Sequence, residues 1–260
     1  MNFNPMTLYE SGLSLRQVSE KTGMPLTSLV RYLTRHGATF RPTGRQRVYK
    51  CDDHYFDEIN SEEKAYWLGF LLADGHVNKR DRLVLDLASV DQGHMVKLRN
   101  CIESDAPVRP GYFAVTSHEM AKALRGKGII ANGKRVFDVD PDLRRHYWRG
   151  AVDGDGCLRL TKGVTPQLSI ELVGTPETAT KFRSFCLGIV ETNAKITTRG
   201  KIDIFRVSGP KAADICRVLY DGATVYLARK KSKYDAYRII LDERRRRWNG
   251  KGVTNRGRTD

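Results

Sequence analysis

One pattern occurs twice in this chain, first as Ala65-Tyr66-Trp67-Leu68-Gly69-Phe70-Leu71-Leu72-Ala73-Asp74-Gly75 and again as His146-Tyr147-Trp148-Arg149-Gly150-Ala151-Val152-Asp153-Gly154-Asp155-Gly156. Each copy holds a Trp, a Gly two residues later, then a small residue, Asp and Gly. Gly69 with Ala73, and Gly150 with Gly154, are one helical turn apart, so each copy as a helix carries a stripe poor in side chains. Such a stripe lets a second backbone approach closely. The two segments are therefore predicted to pack on each other.

Both segments end in Asp-Gly, which predicts a helix stopped by Gly75 or Gly156 in the left-handed conformation. Asp74 and Asp155 then sit in the last turn, where the macrodipole is negative and a carboxylate is disfavoured by about 0.3–1 kcal/mol. Two such acids meeting at two negative helix ends need a cation. A hard divalent ion with oxygen ligands, Mg²⁺ above all, is the natural one, with Mn²⁺ or Ca²⁺ as substitutes in the same sites.

Charge narrows the partner. A formal net charge of +15 and an isoelectric point near 9.7 favour a polyanion, either nucleic acid or an anionic membrane. No run of about 18 apolar residues occurs, and the N-terminus lacks the basic-then-apolar pattern of a signal peptide. The expectation is a soluble, intracellular and cytoplasmic protein whose partner is nucleic acid. The five cysteines are odd in number and scattered, without a C-x-x-C pair, so neither a disulfide framework nor a zinc site is expected.

Residues 1–50 read as a separate module. Ser14 with Gln17 forms a capping-box pattern, Gly23 ends that helix, and Pro25 opens a second helix from Leu26 to about His36. Leu15, Val18, Met24, Leu26, Leu29, Val30 and Leu33 supply a small core. This is the cadence of a helix-turn-helix whose second helix would present Thr27, Ser28, Arg31 and Arg35 to a major groove. Arg41, Arg45 and Arg47 follow in a turn-rich arm suited to phosphates.

Beyond it, residues 51–141 and 142–242 repeat one order: helix, two strands, helix, two strands, helix. A repeat of roughly 80 to 95 residues fits duplication. The fold class is α+β, with two αββαββα halves whose antiparallel sheets form a curved saddle. Lys79, Arg80, Arg82, Arg159, Lys162, Arg199, Lys201 and Arg206 are the candidates for its free face. Residues 243–260 read as a basic, disordered tail, with the last helix ending near Arg244.

Trp67 to Gly75 and Trp148 to Gly156 resemble two copies of the LAGLIDADG motif, with Asp74 and Asp155 at the place of the metal-binding acid. The first copy departs at its sixth position, where Leu72 stands; the second keeps Asp153. The resemblance implies a pseudo-symmetric monomeric homing endonuclease without an obligate protein partner. Ala73 and Gly154 join the two acids in the implied metal site. Its strands would read the major groove of a long double-stranded DNA target, and each half would cut one strand.

Phosphodiester hydrolysis also needs basic groups to order solvent or polarise the phosphate. Tyr226 to Lys231 resembles the segment that carries the family's active-site lysine, and Lys230 is the match; Gly128 to Lys134 resembles its counterpart loop, which nominates Lys134. His76, next to the first Asp-Gly, has no histidine partner at Cys157 and reads as a surface or packing residue. A non-cleaving transcription regulator and an RNA intron maturase share the same resemblance, although regulators with this domain typically lack the acids.

Overall fold

The computed structural model describes residues 4–40 and 48–254, with side chains through 246. The chain divides into two compact units, Met1–Gln46 and Arg47–Asp260. Arg41, Arg45 and Arg47 lie outside the described residues.

The first unit contains α1 (Pro5–Glu10), α2 (Leu15–Thr22) and α3 (Leu26–Arg35). The Ser14–Gln17 capping box forms in both directions, with Gln17 N donating to Ser14 Oγ at 3.3 Å and Ser14 N to Gln17 Oε1 at 2.9 Å. Gly23 stops α2 at φ +71°, the left-handed cap the sequence predicts. Helix α1 was not expected; Asn4 caps it and Pro5 occupies its first turn, which is a legible start signal. It adds Tyr9 to a core of Val18, Leu29 and Leu33. Leu26 and Val30, expected in that core, are instead 49% and 38% exposed, on the flank of the α3 stripe that buries Leu29 and Leu33.

The second unit begins with α4 (Glu62–Asp74), capped by Ser61, and continues through β1 (Gly75–Val77), β2 (Arg82–Asp86), α5 (Gln92–Cys101), β3 (Tyr112–Thr116) and α6 (His118–Gly126). After a 3-10 turn the order recurs as α7 (Arg144–Asp155), β4 (Gly156–Leu160), β5 (Leu168–Gly174), α8 (Pro176–Leu187), β6 (Ile196–Arg199), β7 (Ile202–Ser208) and α9 (Pro210–Tyr220), followed by α10 (Ala228–Thr254). Helix α10 runs on to Thr254, past Arg244, so residues 243–254 continue a helix instead of forming a separate tail.

Both sheets are antiparallel, in the orders β1-β2-β3 and β4-β5-β7-β6. The second has the four strands expected; the first has three. Its β3 pairs with β2 as β7 pairs with β5, so among the described residues no strand equivalent to β6 forms. Only Arg109 bridges to Tyr112 at that place. Pro107 and Pro110 flank it, and neither can donate to a ladder. Along β5 the expected alternation holds: Leu168, Ile170 and Leu172 are buried against Phe205 and Val207, while Ser169 and Glu171 face away. Each large side chain so buried contributes about 1.5–3 kcal/mol.

Helices α4 and α7 pack along the predicted stripe at the centre of this unit. A Cβ on Gly69 would overlap the carbonyl of Tyr147, and one on Gly150 the carbonyl of Tyr66. The backbones therefore touch through these two positions. Gly75 and Gly156, however, are not left-handed: at φ −91° and −86° both are extended and start β1 and β4 directly. Their glycines are required by space, since a Cβ on Gly156 would lie 2.5 Å from Val152 O and 2.8 Å from Glu171 O, and one on Gly75 would strike Leu71. The helix turns straight into a strand, leaving no room for a side chain.

Candidate functional site

The α4–α7 contact carries Asp74 and Asp155 to one place. A Cβ on Gly154 would stand 3.1 Å from Asp74 Oδ2, so the first carboxylate lies against the residue preceding the second. Burial first, and then the charge of Asp155, push the Asp74 carboxyl up to about 6. Asp155 is also raised, chiefly by desolvation, while Lys134 and Lys230 pull it back. The donor set is two carboxylates beside the carbonyls of Ala73 and Gly154. No nitrogen or sulfur ligand accompanies them; among the described residues no group of three or more His, Cys, Asp or Glu forms. Such a set fits a hard divalent cation that keeps waters and takes oxygens from a phosphate, and it does not fit zinc.

Both predicted lysines reach this centre. Lys134 Nζ donates to Ala73 O at 2.5 Å, at the end of α4. Lys230 Nζ donates to the carbonyls of Val152, Asp153, Gly154 and Gly156 at 2.8, 2.6, 2.9 and 2.7 Å, at the end of α7. Each ammonium thus meets the orphan carbonyls and the negative dipole of its own motif helix. The carbonyls of Ala73 and Gly154 accept from lysine here, and a second lone pair on each remains for another partner. Burial lowers the Lys230 ammonium to about 8, opposed by Asp153 and Asp74, and lowers Lys134 as well, opposed by Asp155 and Asp74. Lys134 is delivered by a loop closed where Arg135 N donates to Gly128 O at 3.2 Å, Gly128 having φ +85°.

A buried polar network beneath the site escaped the sequence reading. Asp153, 1% exposed, accepts from Tyr220 Oη at 2.7 Å, Tyr66 Oη at 2.8 Å and Leu227 N at 2.7 Å. Tyr66 Oη also meets His94 Nε2 at 2.8 Å. Burial lowers His94 to about 3, which favours a neutral ring; because Tyr66 Oη donates to Asp153, its oxygen is left to accept from His94 Nε2–H, and among the described residues the buried Nδ1 has no hydrogen-bond partner. Arg149, fully buried, donates to Glu62 at 2.8 Å and to the carbonyls of Val225 and Leu219, each at 2.9 Å. Arg229 grips both oxygens of Asp91 at 3.0 Å, tying α10 to the first half. The early sign of this network was a charged Arg149 and Asp153 standing among Trp148, Gly150, Ala151 and Val152 in the second motif.

The candidate contact residues lie as follows. Thr27, Ser28, Arg31 and Arg35 are exposed on α3. Lys79 and Arg80 occupy the β1–β2 turn, Lys162 the β4–β5 turn and Lys201 the β6–β7 turn, all exposed; Arg199 ends β6. Arg159 and Arg206 lie on the outer face of the second sheet, where Arg206 Nε is held by Glu171 at 2.5 Å. Arg82 is half-buried: its guanidinium lies 5.8 Å from the centre of the Tyr112 ring, and its buried Nε has no hydrogen-bond partner among the described residues. His76 sits in β1 opposite Val84, on the outer face of the first sheet. No described helix is long and apolar enough to cross a membrane.

No family model and no curated protein matches the sequence. Among solved structures, the LAGLIDADG meganuclease I-CpaMI bound to uncleaved DNA is similar at 9% identity and a TM-score of 0.50, over 69% of this chain and 92% of that one. A variant of I-SmaMI is similar at 12% identity and a TM-score of 0.50, over 72% of this chain and 92% of that one. Over that length the chain has the fold of the LAGLIDADG endonucleases.

Proposed function

We propose that this protein is a site-specific endonuclease that hydrolyses double-stranded DNA, one strand per half. The observation that carries the reading is the meeting of Asp74 and Asp155 at two packed helix ends, each flanked by a lysine. Asp74 and Asp155, with the carbonyls of Ala73 and Gly154, would hold Mg²⁺. When bound, the ion neutralises phosphate charge and makes a water nucleophilic. The chain's own residues do the rest. Lys134 and Lys230 hold positive charge beside the scissile phosphates, and burial makes that charge less hydrated and therefore stronger toward an oxyanion. The outer faces of both sheets, with Arg159, Arg199 and Arg206 on one and Arg82 on the other, lie along the duplex. Helix α3 adds Thr27, Ser28, Arg31 and Arg35 as a further DNA contact, and the protein acts as a monomer.

The test is to incubate the protein with a randomised duplex library and Mg²⁺, then sequence the broken ends. The reading expects defined double-strand breaks leaving 5′-phosphate and 3′-hydroxyl termini. Asp74→Asn and Asp155→Asn should each abolish those breaks while DNA binding persists. Tight binding without breaks in the unaltered protein would instead make it a regulator or a maturase, and full Mg²⁺-dependent cutting by both variants would remove the carboxylates from the chemistry.

A further inference from the structure

Among the buried positions at which the two motif copies differ, one sets Leu72 in α4 against Asp153 in α7, and that difference reaches the lysines. We propose that Asp153 is a positioning residue, which fixes the start of α10 and so aims Arg229 and Lys230, giving the second half a lysine held in a way the first half lacks. The inference rests on the endonuclease reading above.

Its basis is geometric. Asp153 Oδ2 accepts from Leu227 N at 2.7 Å, the backbone N–H immediately before α10 begins at Ala228. The first turn of α10 hangs from the same residue, since Lys230 N and Lys231 N donate to Leu227 O at 3.0 and 3.1 Å. A carboxylate at this place satisfies an orphan donor and meets the positive end of the helix dipole. The carboxylate is itself immobilised, by Tyr220 on one oxygen and Tyr66 on the other. From that anchored turn Lys230 reaches four carbonyls within 2.9 Å, more acceptors than an ammonium has protons. In the first half the side chain of Leu72, 6% exposed, offers no acceptor, and Lys134 comes from a coil and, among the described residues, donates to Ala73 O alone. Beyond the two tyrosines that hold it, the Asp153 carboxylate bonds the backbone of the segment that carries Lys230, and among the described residues no hydrogen bond joins it to the loop that carries Lys134.

The consequence is strand-specific. A supercoiled plasmid carrying a site recovered from the duplex library is cut with Mg²⁺, and each strand is followed separately. Lys230→Met identifies the strand served by Lys230, and Lys134→Met the other. Asp153→Asn and Asp153→Leu, the latter copying position 72, should slow the Lys230 strand by about 10- to 100-fold, as misplacement of a catalytic group does, and leave the other within about twofold. Nicked circles then accumulate. Tyr220→Phe, which removes one of three hydrogen bonds, should slow the same strand less, and it decides the matter if the Asp153 variants lose DNA binding. Equal slowing of both strands, or of neither, overturns the inference. Absence of any cutting by the unaltered protein overturns the endonuclease reading itself, a separate and recognisable failure.

Discussion

Asp74 is held against its preference in the metal-free protein. An unfolded aspartate releases its proton near pH 3.9, whereas folded Asp74 keeps it to about 6, so between these values the folded form binds more protons. Its contribution therefore makes the metal-free protein less stable as pH rises from about 4 to 6, and that loss persists above 6. Asp74→Asn should stabilise the metal-free protein at pH 8 by on the order of 1–2 kcal/mol after solvent screening, raising its melting point, and change it little at pH 4. Mg²⁺ should do likewise, stabilising the unaltered protein at pH 8 and much less at pH 5, where protons compete for the same oxygens. Thermal melts at the two pH values check both. A variant no more stable than its parent at pH 8 would mean that the charge at residue 74 is already compensated. The acids were legible in the sequence because each ends a motif. Asp153 was legible only as a residue, since its partners Tyr66, Tyr220 and Leu227 come from three distant segments.

At the scale of elements, α4 and α7 decide the fold of the larger unit. Gly69 and Gly150 leave no space for even a methyl group, because the opposing atoms are backbone carbonyls that cannot rotate away. Gly69→Ala or Gly150→Ala should cost at least about 3 kcal/mol and abolish DNA cutting, read by urea denaturation and by cleavage. Gly93→Ala, on α5 with open space around it, should be neutral or slightly stabilising and serves as the control. The stripe was visible in the sequence, but the role of Gly75 and Gly156 was not: Asp-Gly after a helix ordinarily signals a left-handed stop, and only the crowding from Leu71, Val152 and Glu171 shows otherwise. The missing strand of the first sheet is a similar case. Pro107 and Pro110 argue against a strand near Val108, and the symmetry of the repeat argued for one; the local chemistry prevailed.

For the whole molecule, 45 Lys and Arg against 30 Asp and Glu set the scale of its attraction to DNA. Affinity should fall linearly in a plot of log K against log salt, with a slope of about −0.9 for every phosphate neutralised. Arg31→Glu with Arg35→Glu should flatten that slope by one to two such steps and weaken binding, while the Mg²⁺-dependent break positions within the site stay where they are. Fluorescence anisotropy over a salt series checks the slope; an unchanged slope would remove α3 from the interface. The first unit shows how far sequence reading carried at this scale: the capping box and Gly23 fixed α2, yet the exposure of Leu26 and Val30 depends on tertiary packing, which no local pattern encodes.

The most direct measurement is a crystal structure of the protein on its recovered target with Mn²⁺ replacing Mg²⁺, read by anomalous scattering. The account predicts manganese within about 2.6 Å of the carboxylate oxygens of Asp74 and Asp155, with phosphate oxygens completing the shell. Manganese bound elsewhere on the protein, or none between those two helix ends, would contradict it.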